Sequence, residues 1–329
     1  MIHAFIASKG NLVERLDVSL DGPLPLVEAL WIDLFMPTAE ERARVEVGFG
    51  LQLPSHEDMS EIEPSSRLYA EGDAVFMTGT FISHADEPIA RSEPITFILI
   101  KRTLITIRYS EPRPIQTFSA RLCRGPSNLM IGEDVFVGLL EAFVDRIADI
   151  LERVSTDIDR TSHLTFHGRA SGSKGRHDLQ AVINTLGRTE DLASGARESL
   201  LSLTRLIRFH AATFSPESKK ETKEMKARVR SLSRDIESLA EHVSYESHKI
   251  NFLLDATLGL VNIDQNRIIK LFSVVAVIFL PPTLVASIYG MNFKSMPELE
   301  WVFGYPWALG LMVLSAILPL LWFRHKNWL

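Results

Sequence analysis

Leu271–Phe293 reads LFSVVAVIFLPPTLVASIYGMNF, and Trp301–Phe323 reads WVFGYPWALGLMVLSAILPLLWF. Each run is 23 residues without an ionised side chain, the first between Lys270 and Lys294, the second between Glu300 and Arg324. A bilayer core about 30 Å thick is crossed by about 20 apolar residues of helix. Two such runs in tandem predict a pair of transmembrane helices rather than core helices of a globular domain. The connection from Gly290 to Glu300 is short, so the spans are antiparallel and both chain ends lie on one side.

Working outward, Arg267 and Lys270 precede the first span, and Arg324, His325 and Lys326 follow the second. The connector sets Lys294 against Glu298 and Glu300. The bias of basic residues towards the cytoplasmic side predicts a multi-pass protein of the inner (plasma) membrane with both termini in the cytoplasm. Trp301, Tyr305, Trp307, Trp322 and Trp328 fall near the span boundaries, as interface aromatics do. The N-terminal stretch mixes Lys9, Glu14, Arg15 and Asp17 into short apolar segments and does not read as a signal peptide.

Composition excludes other classes. With 35 basic and 41 acidic residues, net charge is -6, against a nucleic-acid partner. A single cysteine, Cys123, excludes a disulfide framework and a multi-cysteine metal site. No nucleophile–base pair, nucleotide loop or metal triad is legible, so an enzyme is not expected. Gly172–Gly175 lacks the strand and the Lys-Ser/Thr pair of a phosphate loop and reads as a helix–helix turn. His163 and His167 lie one helical turn apart without a zincin glutamate between them, and read as a solvated helix end.

Residues 1–130 read as mixed α/β. Ile2–Ala7, Ala29–Leu34, Ala74–Ser83 and Thr96–Arg108 are β-branched or aromatic strand candidates. Pro37-Thr38 announces a helix, and 54–66 reads as a polar helix or loop. Residues 131–215 read as an antiparallel helical hairpin: Phe136, Leu140, Phe143, Ile147, Ile150, Val154 and Ile158 recur at helical spacing, and a second helix covers Asp178–Phe214. Ser215-Pro216-Glu217 then starts a helix with no stop signal before Gly290. That predicts 74 residues of stalk running into the first span, about 110 Å of helix. Pro281-Pro282 interrupts that span and frees the carbonyls of Val277 and Ile278, which predicts a kink.

On this long helix, Asp255, Gly259, Asn262, Asn266, Ser273, Thr283 and Ser287 share one seam, with Ile269, Ala276 and Leu280 filling its gaps. Lipid offers such side chains no hydrogen bonds, so the seam faces something else. It either joins helices or lines water between several copies of the chain. Asp255 and the two asparagines favour the second reading, because carboxylate and amide oxygens suit hard divalent cations. Two helices cannot enclose a pore, so this reading requires a symmetric oligomer. Ile269, Phe272 and Leu280 would then supply apolar constrictions.

Tyr289-Gly290-Met291-Asn292, with Met296-Pro297-Glu298-Leu299 behind it, is more specific than a helix cap. Together with Gly304-Tyr305-Pro306 and the Lys326-Asn327-Trp328-Leu329 ending, it resembles the CorA family of divalent-cation transporters, sharply over 255–329 and more loosely upstream. The resemblance implies a funnel-shaped homopentamer with an α+β cytoplasmic domain, a long stalk helix and two transmembrane helices per subunit. It implies a periplasmic loop at 290–304 bearing the Gly-Met-Asn filter, a second span at 305–323 in an outer ring, and a basic cytoplasmic tail at 324–329. The first span, about 271–289, would line the pore. A ring of Asn292 would grip hydrated Mg²⁺ through its water shell, and Asp255, Asn266 and Thr283 match polar pore positions. Mg²⁺ is the implied cargo, with Co²⁺ and Ni²⁺ as secondary ions and cytoplasmic Mg²⁺ as the gating ligand. No organic cofactor is implied. Lys294 departs from the acid usual in relatives, and Ser231, Asp235 and Glu237 do not reproduce the regulatory metal site. A zinc transporter of the same superfamily and a non-conducting membrane-anchored sensor or scaffold are the competing readings, with the intact Met291 favouring Mg²⁺.

Overall fold

The computed structural model describes residues 1–8, 12–19, 22, 24–25, 28–87, 89–125, 129, 131–167, 179–213, 219–291, 296 and 301–326. It divides into two compact units, Met1–Leu254 and Asp255–Leu329.

The first unit is built on a seven-stranded sheet of order β2-β1-β3-β7-β6-β5-β4. Its strands are β1 (Ile2–Ser8), β2 (Leu12–Val18), β3 (Ala29–Phe35), β4 (Leu68–Glu71), β5 (Ala74–Ser83), β6 (Arg91–Ile100) and β7 (Thr103–Arg108). Among the described residues only the β3–β7 pair is parallel. Both faces of the central strands are covered. Trp31, Phe97, Leu99 and Leu104 belong to one core, and Ile32, Ile98, Ile100 and Ile105 to another. Burial on both sides is why these strands read as unbroken apolar runs rather than as an alternation.

One face carries α1 (Ala39–Phe49) and α2 (His56–Ser60), through Val45 and Met59. The predicted start of α1 is a capping box, Thr38 accepting from Glu41 N while Glu41 accepts from Thr38 N. A short turn, α3 (Pro64–Arg67), precedes β4. The other face carries α4 (Arg113–Leu122), α5 (Gly132–His167) and α6 (Leu179–Thr213). Gly132 N donates to Arg102 O at 2.6 Å, and a side chain there would meet the Leu104 backbone nitrogen at 2.3 Å. Glycine is what lets α5 start against the β6–β7 turn.

β4 pairs with β5 only as far as Met77, so the rest of β5 is a sheet edge. Two α6 serines close it: Ser199 Oγ accepts from Ile82 N at 2.8 Å and Ser202 Oγ from Thr80 N at 3.0 Å. Covered edges do not recruit other strands.

The sequence reading took Thr96–Arg108 as one strand. It is the end of β6, a two-residue turn at Lys101-Arg102, and β7. Lys101 takes the left-handed φ of 53° that such a turn demands, without the usual Gly or Asn. β2 and β4 escaped the reading because they are edge strands with mostly exposed or half-exposed residues.

The long helix α7 spans Lys219–Tyr289. Within the first unit, Leu232, Ile236, Val243, Ile250 and Leu253 are buried, with Leu239 partly so, in the 4-3 spacing of a helix packed lengthwise on others. Arg228 donates to both oxygens of Glu141 on α5, and Lys249 Nζ lies 2.6 Å from Asp159.

The second unit holds the last part of α7 and α8 (Gly304–His325). Among the described residues these are the two helices long and apolar enough to cross a membrane, and only 6% and 11% of their most apolar stretches are buried. Core helices of a globular protein would be covered; these require lipid or neighbouring subunits. α7 remains helical through Pro281 and Pro282.

Candidate functional site: the polar seam of the first span

Asp255, Gly259, Asn262, Asn266, Ile269, Phe272, Ser273, Ala276, Leu280, Thr283 and Ser287 are all exposed within the single chain. Burial on this part of α7 falls on Val274, which is 4% exposed, and on the partly buried Ile278, Pro281, Val285 and Tyr289. On α8 it falls on Gly304, Ala308 and Phe323, with Met312, Ser315, Ala316 and Pro319 partly covered. These are the positions of the two helices that the chain itself covers. At 100° per residue, the seam's centre lies roughly 150° around α7 from the covered stripe.

Joining the two spans of one chain is therefore not the seam's role. Ser273 Oγ donates to Ile269 O at 2.9 Å and Thr283 Oγ1 to Phe279 O at 2.7 Å, each hydroxyl bonding back to its own helix. Asp255, Asn262, Asn266 and Ser287 make no hydrogen bond or ion pair with a described residue. Polar oxygens exposed along an otherwise apolar span are stable only against water, ions or a second subunit.

At the far end of α7, Gly290 N donates to Ala286 O at 2.9 Å and Met291 N to Ile288 O at 3.2 Å, closing the last turn. Gly290 and Met291 are both exposed. Asn292, Lys294, Glu298 and Glu300 lie outside the described residues, as do the segment 168–178 with its glycines and the side chain of His167. Among the described residues no group of three or more His, Cys, Asp or Glu is arranged to hold a metal ion. The polar groups of the seam are thus strung along a helix rather than gathered in a cage.

Sequence reasoning missed the stripe on α8. Its signal was present in the small residues Gly304 and Ala308, one turn apart, which allow close helix approach.

A two-unit chain with a sheet-based domain and a long helix that continues into one of two candidate membrane spans has the makeup of a membrane protein. The comparisons make the class specific: residues 28–325 match the family of CorA-like Mg²⁺ transporter proteins, and the chain belongs to that family. It is 35% identical over its whole length, and theirs, to the magnesium transport protein CorA of Escherichia coli K12 and to that of Salmonella typhimurium. The solved CorA magnesium transporter of Methanocaldococcus jannaschii superposes with a TM-score of 0.71 at 19% identity, over 100% of this chain and 99% of that one. The family's role is transport, not catalysis.

Proposed function

We propose that this chain assembles as a homopentamer and carries Mg²⁺ into the cell through a pore lined by α7. The observation that carries the proposal is that the seam is exposed within the single chain, roughly opposite the stripe of α7 that the chain itself covers. If copies stand in a ring with α8 outside, the seams turn towards the axis. Membership of the family and full-length similarity to magnesium transport proteins supply the cargo.

In this reading both termini are cytoplasmic and the Gly290-Met291-Asn292 turn is the outer mouth. Five Asn292 amides would hold the hydration shell of Mg²⁺, an ion that dehydrates reluctantly. Thr283, Ser287, Asn266, Asn262 and Asp255 would offer further oxygens along the path, and Ile269, Phe272 and Leu280 would narrow it. The Val277 and Ile278 carbonyls, freed by Pro281 and Pro282, lie on the same helix. Co²⁺ and Ni²⁺ follow as secondary cargo, and cytoplasmic Mg²⁺ as the gating ligand.

The test is flux. Proteoliposomes loaded with a Mg²⁺-sensitive dye brighten on external Mg²⁺, and Asn292→Ala abolishes the response. Faster uptake of Zn²⁺ than of Mg²⁺ would reassign the cargo. No flux of any divalent ion from a well-assembled oligomer would make the protein a sensor or scaffold.

A further inference from the structure

The connections of the sheet point to a second site, remote in sequence from the membrane helices. β3 and β7 are adjacent and parallel, yet β3 leads into α1 on one face and β7 into α4 on the other. Neighbouring parallel strands whose connections diverge leave a crevice beyond their carboxyl ends, where open α/β sheets bind ligands. A cavity of about 480 Å³ lies there, bounded by the last residues of both strands and by α4. That volume falls within the range of small-molecule sites.

Its walls are of two kinds. Phe5, Phe35 and Ile115 provide apolar surface. His3, Arg15 and Gln116 provide polar groups, and two of these are held in place. His3 Nδ1 is 2.6 Å from Asp17 Oδ1, and Arg15 donates from Nε to the same oxygen at 3.2 Å while its Nη2 sits 3.1 Å from His3 Nδ1 and 3.3 Å from His3 Nε2. Arg15 Nη1 makes no hydrogen bond with a described residue. The second arginine of the wall, Arg108, is already matched by Asp33. Glu111 also lines the cavity and repels a highly charged anion such as a polyphosphate.

We propose that this crevice binds a small organic monoanion, its carboxylate on Arg15, which His3 and Asp17 hold in place, and its apolar body against Phe5, Phe35 and Ile115. A positioned guanidinium beside an aromatic wall is what such a ligand requires. Burial pushes the Cys123 thiol up, and the charge and backbone N–H of Arg15 offset this only in part, so the thiol reacts slowly.

Cys123 lines the same cavity and is the chain's single cysteine, so it reports on occupancy. The full-length protein in detergent is labelled with iodoacetamide, with and without benzoate, and with benzamide as the uncharged control. Benzoate at about twice its Kd slows labelling about threefold; benzamide does not, and Arg15→Gln loses the protection. Equal rates with and without benzoate, equal protection by benzamide, or protection that survives in Arg15→Gln would each overturn the proposal. The benzoate and benzamide comparison on the unaltered chain decides the matter even if the variant fails to fold.

Discussion

Arg108 on β7 grips Asp33 on the parallel strand β3, donating from Nη2 to Oδ2 at 2.8 Å and from Nε to Oδ1 at 3.0 Å, with both side chains within 5% of full burial. The pair is fully engaged. Asp33 Oδ1 also accepts from Thr106, which accepts from the Trp31 indole, and Arg108 Nη1 donates to Ser110 O. The Arg108 guanidinium lies 4.3 Å over the Phe35 ring. Removing one partner leaves a buried charge without compensation. Asp33→Ala should therefore cost about 3–5 kcal/mol, read as a lowered unfolding midpoint of the detergent-solubilised protein. A loss below about 1 kcal/mol would mean that water reaches Arg108.

Two helical glycines should respond oppositely to alanine. At Gly132 a Cβ meets backbone at 2.3 Å, so Gly132→Ala should destabilise by about 1–3 kcal/mol. At Gly187 on α6 a Cβ meets nothing within 4 Å, so Gly187→Ala should gain about 0.5–1 kcal/mol from helix propensity. Thermal unfolding of the two variants checks both signs.

Asp86 follows β5 and meets three arginines: Arg153 at 2.5 Å, Arg146 at 2.6 Å and Arg113 at 2.8 Å. Burial alone would raise its pKa, but the hydrogen bond from Arg153 and the three charges hold the carboxyl below its ordinary range. A depressed folded pKa contributes stability that is complete above the ordinary carboxylate value, about 4, and is lost as pH falls through the folded one. Asp86→Asn should cost about 1 kcal/mol at neutral pH. The gap to the unaltered protein should close on acidification below about pH 4; a gap constant with pH would show that packing, not charge, is responsible.

The seam can be mapped with thiols once Cys123→Ser has removed the native one. Cysteine placed singly at Ser273, Ala276, Leu280, Thr283 or Ser287 should react with a membrane-impermeant cationic methanethiosulfonate and block uptake. Cysteine at Val274 or Val285, on the covered stripe, should stay unreactive. Reaction without helical periodicity would remove the seam from the ion path.

Lys294 places positive charge near the proposed mouth. Lys294→Glu should raise Mg²⁺ uptake most at low ionic strength, where the Debye length is long, and lose its advantage as salt rises. An unchanged rate would mean the side chain points away from the ions. Asp255→Ala should alter gating or apparent affinity more than expression; loss of the assembled oligomer would reassign Asp255 to structure.

The sequence by itself determined the two spans, the long helix feeding the first, the α5 apolar face, the helix start at Thr38 and the polar seam. Each is written in local periodicity or in contiguous residues, so burial along one element suffices to reveal it. Tertiary structure decided what depends on pairing between distant segments. The split of β6 from β7 hides in a continuous apolar run because both faces of the sheet are covered. The edge strands β2 and β4 are defined by their partners rather than by hydrophobicity. Arg108 and Asp33 are 75 residues apart and meet only because β3 and β7 align in register. The seam's direction is of the same kind. Its residues were legible, but that burial falls on the opposite side of α7, at Val274, is a fact of packing, because an exposed helix has no preferred outside until something covers one side.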